Sequence, residues 1–402
     1  MSFGTRSASQ REVSSVPRQI FAFGETMQFA CGWSRNPIAS LMGLTILIVF
    51  ISLIGLMVLH ELGHFVIAKK FGVKVEEFGI GYPPRLFGRK FGETLYSLNL
   101  LPFGAFVKIY GEEGGIESAY SFTGKLIWQR ALIILGGVVS FWIVAAILLS
   151  IVFGIGTLQA ISDEEEGSLV NSKVQIVAVS PNSPAEEAGI KVGDAIKQLT
   201  VNNQQLTIDK VKEVQEFTQE HLGKEITLTI ERGKEVFETS LMPRVSPPEG
   251  EGAMGVGLAR TSEKSYPWYQ APIKGIKACI SMTWAVITGL AQVLGSLVQG
   301  KGLPSGAQLM GPIGIGSLMT QAAQLGLNYY LQFIAMISIY LAVFNILPIP
   351  ALDGGKLLFL GIEKVRKKPV YPKIEQSITT VFFALLIALM VWVTIKDIIQ
   401  LF

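Results

Sequence analysis

The sequence predicts a polytopic α-helical membrane protein with about four transmembrane helices and one β-rich domain between them. Half of its 402 residues are hydrophobic and 16% are charged. Its mean hydropathy of +0.44 is too apolar for an ordinary soluble protein of this length. Four segments are long and uncharged enough to cross a bilayer, which requires about 20 apolar residues. One stretch between them instead alternates apolar and polar side chains, as half-buried strands do.

The predicted transmembrane helices follow a polar tail, residues 1–37, to which we assign no function. The first helix begins too late in the chain to be a cleaved secretory signal, so we expect it to remain as an anchor. Lysine and arginine gather between the first and second helices and between the third and fourth. The positive-inside rule places both of these loops in the cytoplasm, and residues 159–326 and both termini outside. The first pair of helices lies within residues 38–158 and the second pair within residues 327–402, at residues 41–59, 131–158, 327–347 and 377–395.

The strand pattern occupies residues 172–243. The segments "KVQIVAVS" and "AIKQLTVNN" alternate, a second helix fits residues 209–220, and "EITLTIERGKEVFETSL" fits a hairpin. The stretch resembles a bacterial PDZ domain, and residues 183–189 and 192–194 carry the likeness. That resemblance implies capture of an extended peptide or a C-terminus by strand addition. We expect His221, at the end of the second helix, to be a surface or capping histidine.

Residues 268–326 are apolar but carry Lys274 and Lys277 near their start. We therefore predict helices lying on the membrane surface, followed by a glycine- and proline-rich linker. The alternative is a fifth crossing, which would reverse the sense of the last two transmembrane helices.

Composition disfavours nucleic-acid binding, and the cysteine positions disfavour a disulfide framework or a thiolate zinc site. The net charge is only +3 and no basic run is interleaved with aromatic residues, so no nucleic acid is expected as a partner. Cys31 and Cys279 lie far apart and outside any metal-type spacing, which indicates neither a disulfide framework nor a thiolate zinc site.

The end of the first predicted helix carries "HELGH", which contributes two of the three histidines in the chain, His60 and His64. Residues four apart share one face of a helix, so both imidazoles can reach one metal ion while Glu61 stands beside it. This spacing suits Zn2+ and one activated water. The alternative is a set of polar side chains at a helix end that extend to the membrane–water interface. Ionisable residues at membrane depth are costly, however, and usually have a functional role.

A catalytic zinc usually has three protein ligands and one open position. The third predicted helix ends in "FNILPIPALDGGK", which places Asp353 at the same boundary as His64. Pro348 and Pro350 should break this helix just before the aspartate. The alternative role of Asp353 is a turn or helix N-cap before the glycine pair.

The loop after the first helix contains "ETLYSLNLLPFGAFVKIYG", with β-type runs at residues 94–100 and 105–110. Pro102 and Gly104 between them predict a hairpin with a free edge, within a β-loop at residues 74–115. The alternative is a hairpin resting on the membrane surface.

The motifs "HELGH" and "NILPIPALDGG", in this order, resemble those of the site-2 protease family of intramembrane zinc metalloproteases. The likeness covers about residues 40–400. The single PDZ-like insert makes the bacterial regulator-of-sigma-factor branch most similar, although well-known members of that branch carry two PDZ domains in tandem and this chain has length for one.

That resemblance implies specific roles for residues of this chain. It implies that zinc is bound by three side chains, that one carboxylate is catalytic, and that an asparagine hydrogen-bonds the substrate backbone. It also implies that a re-entrant β-loop on the cytoplasmic side holds the substrate as an added strand. By this resemblance the zinc ligands are His60, His64 and Asp353, the catalytic carboxylate is Glu61, and the substrate-binding residues are Asn345, Ala105, Phe106 and Val107. The alternative role of Asn345 is a buried amide that satisfies a helix carbonyl.

The function expected from these features is cleavage of single-pass membrane proteins within the bilayer of the bacterial inner membrane, with anti-sigma factors or signal-peptide remnants as plausible substrates. The β-rich domain would exclude intact substrates or bind a peptide. One alternative is a zinc-binding membrane adaptor that has lost catalysis, against which the retained Glu61 speaks. Another is a zinc transporter, although the sequence offers no second acidic or histidine metal site across the bilayer. A third is a different membrane zinc peptidase with a glutamate as third ligand.

Overall fold

The computed structural model describes residues 39–401 except 113, 115, 117, 166–169, 203, 234, 249–250 and 301–309. The predicted polar tail and Cys31 lie outside the described residues, as does part of the predicted linker.

Long apolar helices form the membrane part of the protein. Five of the described helices are long and apolar enough to cross a bilayer, with the first of them counted from Leu47. They are α1 (Ala39–Lys70), α2 (Ile127–Ile155), α5 (Ala271–Val298), α7 (Leu327–Ile346) and α9 (Pro372–Leu401). The remaining helices are α3 (Pro184–Glu187), α4 (Val211–Glu220), α6 (Pro312–Leu325) and α8 (Asp353–Arg366).

The structure adds one candidate transmembrane helix, within residues 268–326, to the four predicted. The first part is one continuous helix, α5, so the candidate transmembrane helices number five rather than four. It packs closely on α2, because a Cβ at Gly275 would lie only 2.6 Å from the Ser150 nitrogen.

The predicted linker is also wrong in part, since α6 occupies residues 312–325. Glycine and proline disfavour helix interiors, but Pro312 stands in the first turn, where its missing N–H costs nothing. The buried carboxylate of Asp397 on α9 accepts hydrogen bonds from the Gly311 and Gly314 nitrogens, at 2.9 and 2.8 Å. A negative charge at a helix N-terminus is stabilising, so this tertiary contact supports a helix that the local sequence does not favour.

The β-loop differs in detail from the predicted hairpin. It consists of two long antiparallel strands, β1 (Val75–Phe91) and β2 (Thr94–Ile109). Residues 77–80 of β1 pair on one side with residues 95–98 and on the other with residues 105–108. The runs at residues 94–100 and 105–110 were predicted to pair with each other. They instead lie on either side of residues 77–80, a strand segment that was not predicted. β1 contains several glycines and prolines, which are depleted in strands and hide its pattern.

The β-rich domain is a seven-stranded antiparallel sheet with the order β3-β9-β4-β5-β7-β8, in which β6 pairs with β5. Its own hydrophobic core includes Ile176, Leu199 and Leu228. The sheet extends beyond the predicted 172–243 at both ends, because β3 and β9 join it. The strands are β3 (Thr157–Ala160), β4 (Val170–Val179), β5 (Ala195–Val201), β6 (Gln204–Thr207), β7 (Ile226–Arg232), β8 (Glu235–Leu241) and β9 (Val256–Lys264).

An ion pair with a buried carboxylate supports this domain. The Asp194 side chain is 1% exposed and accepts hydrogen bonds from the Arg232 guanidinium, at 2.7 Å for both Nε and Nη2, and from the Lys191 nitrogen at 2.8 Å. The carboxylate raises the pKa of Arg232 by hydrogen bonding to its charged form.

We expect Asp194→Ala to destabilise the β-rich domain by about 1.5–3 kcal/mol, the usual contribution of hydrogen bonds to a charged group. Hydrogen exchange of the backbone amides in β4, β5 and β7 measures this, because the domain opens as a local unit. Glu238→Ala removes an exposed carboxylate from the same sheet and should leave the exchange unchanged. Equal loss of protection in both variants would contradict the assignment.

Candidate metal centre

Three ligand atoms converge at the end of α1. His60 Nε2 and His64 Nε2 lie 3.2 Å apart, and each lies 3.3 Å from Asp353 Oδ2. All three residues are buried, with 5%, 8% and 9% of their surface exposed. In the part of the chain that the structure describes, these three residues form the one cluster of His, Cys, Asp or Glu side chains that could hold a metal ion.

The shape of this triangle fits zinc. In a tetrahedral site with ligand distances of about 2.0–2.1 Å, neighbouring ligand atoms stand about 3.3–3.4 Å apart. The observed edges match that spacing. Asp353 Oδ2 is buried and lacks a hydrogen-bond partner within the described ranges, as expected of an oxygen reserved for a cation. Two imidazoles and a carboxylate are also a ligand set that zinc accepts readily.

Packing against α2 orients both imidazoles. His64 Nδ1 lies 2.9 Å from the Ile133 carbonyl oxygen, and donating its proton there leaves the Nε2 lone pair directed at the metal position. The His60 ring stacks on Phe141, with centroids 4.6 Å apart and an interplanar angle of 15°. Neither partner was identified from the sequence, because a carbonyl and a phenylalanine ring carry no motif.

Glycines allow the two helices to approach this closely. A Cβ at Gly63 would lie 2.2 Å from the Gly136 oxygen, and a Cβ at Gly136 would lie 2.7 Å from the Gly63 oxygen. A Cβ at Gly137 would lie 2.2 Å from His64 Nε2, the ligand atom itself. Small residues at crossing points are the usual means by which membrane helices come into backbone contact. The adjacent glycines in the middle of α2 were the available sequence signal for this crossing.

A broken helix brings Asp353 to the histidines. As predicted, α7 ends before the prolines, at Ile346, and α8 begins at Asp353. The intervening turn folds tightly on the start of α8, since a Cβ at Gly354 would lie 2.0 Å from the Leu347 oxygen. The N-cap of α8 is Leu352 and no side chain caps it, so the structure does not use Asp353 as an N-cap.

An ion pair fixes α8 against α2. Arg130 Nη1 donates to both Glu363 carboxylate oxygens, at 2.9 and 3.0 Å. Both side chains are mostly buried, at 13% and 18% exposed. The helix that carries Asp353 is thereby held to the helix that orients His60 and His64.

A small cavity of about 160 Å³ opens beside the ligand atoms. Glu61, His64 and Asp353 line it, so the structure brings the predicted catalytic carboxylate to the predicted ligands. On the far side, Lys356 Nζ pairs with Glu112 at 2.5 Å, and this carboxylate raises the pKa of the lysine. The rest of the lining consists of Tyr82, Ala105, Phe106, Val107, Ile109, Ile133 and Ile134.

The β-loop therefore presents a strand edge to this cavity. Residues 105–107 of β2 pair with residues 78–80 of β1 on one side, and their other side has no strand partner among the residues described. Ala105, Phe106 and Val107 belong to this edge and line the cavity. An unpaired row of backbone N–H and C=O groups is a template for another strand.

Two other singled-out residues lie away from the cavity. Asn345 does not line it, and its Nδ2 donates to the Leu341 oxygen of its own helix at 2.9 Å, so its contact with substrate stays a prediction. His221 ends α4 with Nδ1 2.8 Å from the Phe217 oxygen, which agrees with a capping histidine.

Comparisons with known proteins place this geometry in context. The model of peptidase family M50 matches residues 48–389. A protein of Clostridium perfringens, named provisionally as a zinc metalloprotease, is 35% identical over 350 residues, which cover 86% of this chain and 96% of its own. Zinc metalloprotease RasP of Shouchella clausii is 30% identical over 89% of this chain and 99% of its own. The regulator of sigma-W protease RasP of Bacillus subtilis is 28% identical over 88% and 98%.

We expect Gly137→Ala to weaken zinc binding about 10- to 100-fold, because the added methyl group displaces the His64 ligand atom. Zinc content of the purified protein after dialysis against a graded chelator measures the change. Gly55→Ala adds the same methyl group to α1 where nothing lies within 4 Å, and zinc binding should be unaffected. Undiminished zinc affinity in Gly137→Ala would contradict the role given to this crossing.

Proposed function

The chain belongs to peptidase family M50, the site-2 protease family, and from this membership we propose that it hydrolyses peptide bonds of membrane proteins within the bilayer. Membership makes it a zinc metalloprotease and a multi-pass membrane protein. The observation that carries the proposal is the position of Glu61. It lines the same cavity as His64 and Asp353, and the strand residues Ala105, Phe106 and Val107 border that cavity.

We assign the zinc ligands to His60, His64 and Asp353. When bound, the metal supplies a Lewis acid that polarises the scissile carbonyl and lowers the pKa of a water molecule to about 7. Three protein ligands would leave one position of a tetrahedral zinc site for water or substrate, as in catalytic rather than structural sites.

We assign general acid–base catalysis to Glu61. Its carboxylate accepts a proton from the attacking water and delivers it to the leaving amide nitrogen, so that no covalent intermediate with the protein is needed. A site that only held a metal ion would need the ligands alone, which is why the position of Glu61 disfavours a catalytically idle adaptor.

We assign substrate positioning to the edge at residues 105–107. Hydrolysis requires a backbone carbonyl that is free of helical hydrogen bonds, and a transmembrane substrate must therefore unwind near the metal. Pairing with this edge would supply new partners for the unwound backbone and hold it extended beside Glu61.

The substrates proposed are single-pass membrane proteins, such as anti-sigma factors or signal-peptide remnants, cut as the second step of regulated intramembrane proteolysis. The name of the Bacillus subtilis relative links that protein to a sigma factor. The metal centre and the β-rich domain stand at opposite ends of α2, with Ile133 and Ile155 about 33 Å apart along the helix. In the proposed orientation the metal centre faces the cytoplasmic side of the inner membrane, and the PDZ-like domain restricts access from outside or binds a peptide.

We expect Glu61→Gln to lower the rate of cleavage by about 10²- to 10⁴-fold while zinc content stays at that of the unchanged protein. The assay uses purified protein in detergent and single-span reporters trimmed on the outer side. Glu93→Gln, an exposed carboxylate at the hairpin turn, is the matched control and should cleave normally. Full activity of Glu61→Gln would refute the assignment.

We expect Val107→Pro to reduce cleavage at least about tenfold with zinc retained, because proline removes a backbone donor and distorts the edge. Arg89→Pro places the same distortion in the opposite edge of the β-loop and should have a much smaller effect. Loss of zinc and cleavage together in Val107→Pro would mean that the segment supports the fold and does not position substrate.

A further inference from the structure

A second, larger cavity lies at the other end of the helices from the metal centre. Its volume is about 400 Å³, within the range of about 300–1,000 Å³ typical of small-molecule sites. It is enclosed by the ends of α2, α5 and α7 and by β3, where the transmembrane helices meet the β-rich domain. We call it the junction cavity.

The junction cavity has one polar end and one apolar end. Leu149, Met282 and Met336 belong to the apolar part, which lies among the helices. The polar part is built from β3 and the adjoining segments and contains Thr157, Gln159, Tyr266, Lys274 and Gln332. No carboxylate lies among the described residues that line it.

The hydrogen bonds of the polar part leave the NH₂ groups of two glutamines without a partner among the residues described. The Tyr266 hydroxyl donates to Gln159 Oε1 at 3.1 Å, and the Thr157 hydroxyl donates to Gln332 Oε1 at 3.2 Å. With both amide oxygens occupied, the two NH₂ groups remain to bind another molecule. Gln159 Nε2 is buried and has no partner within the described ranges, an arrangement that a native protein seldom leaves uncompensated.

Lys274 adds a positive charge to these donors. It lies one turn into α5, is exposed, and lines the polar part of the cavity. Its ammonium group stacks on the Tyr266 ring, and no carboxylate in the described part of the chain pairs with it.

We propose that the junction cavity binds an anionic amphiphile: a phosphate or carboxylate head on Lys274 and the two glutamine amides, and one hydrocarbon chain among the helices. The location supports this chemistry, because the junction of transmembrane helices with a water-soluble domain lies at the level of lipid headgroups. The phosphate of a phospholipid and the carboxylate of a free fatty acid share this chemistry. The site lies outside the metal centre, and its occupation does not depend on catalysis.

The test is native mass spectrometry of the full-length protein, purified in detergent and offered dioleoylphosphatidylglycerol, dioleoylphosphatidylcholine or oleate. We expect one anionic molecule per chain, retained at least about tenfold better than phosphatidylcholine. Preference for phosphatidylglycerol identifies a phospholipid and preference for oleate a fatty acid, and either supports the proposal. Equal retention of all three probes would overturn it.

Variants locate the site. Lys274→Gln and Gln159→Leu should each lower retention of the anionic probe at least about fivefold, and Lys274→Arg should restore most of it. Lys277→Gln removes the same charge from the same helix outside the cavity and should bind as the unchanged protein does. Zinc content serves as the check on folding, since the metal centre lies at the far end of α2. An equal loss in Lys277→Gln and Lys274→Gln, at full zinc content, would contradict the assignment.

Discussion

The close crossing of α1 and α2 is the contact on which the rest of the metal centre depends. Backbone touches backbone at Gly63 and Gly136, and the next glycine leaves room for the His64 ring. The crossing also places the Ile133 carbonyl against His64 Nδ1 and Phe141 against His60. In a bilayer, helix association cannot draw on the hydrophobic effect, so packing of this kind must supply it.

The second constraint is electrostatic. Burying a carboxylate beside two imidazoles is unfavourable unless a cation joins them, because unpaired buried charges are poorly solvated. The break between α7 and α8 places Asp353 beside His60 and His64. The Arg130–Glu363 ion pair holds α8 in that position. A metal ion bound here would therefore stabilise the fold: the helices preform the triangle, and the ion would compensate the charge that the triangle buries.

Much of the site could be predicted from the sequence, because its chemistry depends on residue type and spacing. The i, i+4 histidines fix a shared helix face, and an aspartate behind two prolines at the end of an apolar helix is unusual enough to attract notice. The strands of the β-rich domain were predictable for a similar reason, since half-buried strands alternate visibly. The supporting contacts were not, because a carbonyl, a stacked phenylalanine and a glycine crossing depend on which helices become neighbours. The helix α6 was not predictable either, because its glycines indicate a loop and the contact of Asp397 with its N-terminus is a tertiary one. The strand β1 was missed because its glycines and prolines are untypical of strands.

The central claim is that His60, His64 and Asp353 hold a single zinc ion. Zinc-edge X-ray absorption of the purified full-length protein, compared with Asp353→Ala, tests it most directly. The account predicts one zinc per chain with two imidazole nitrogens and a carboxylate oxygen at about 2.0–2.1 Å, and loss of the carboxylate contribution in the variant. A sulfur ligand, or a spectrum and zinc content unchanged by Asp353→Ala, would contradict it.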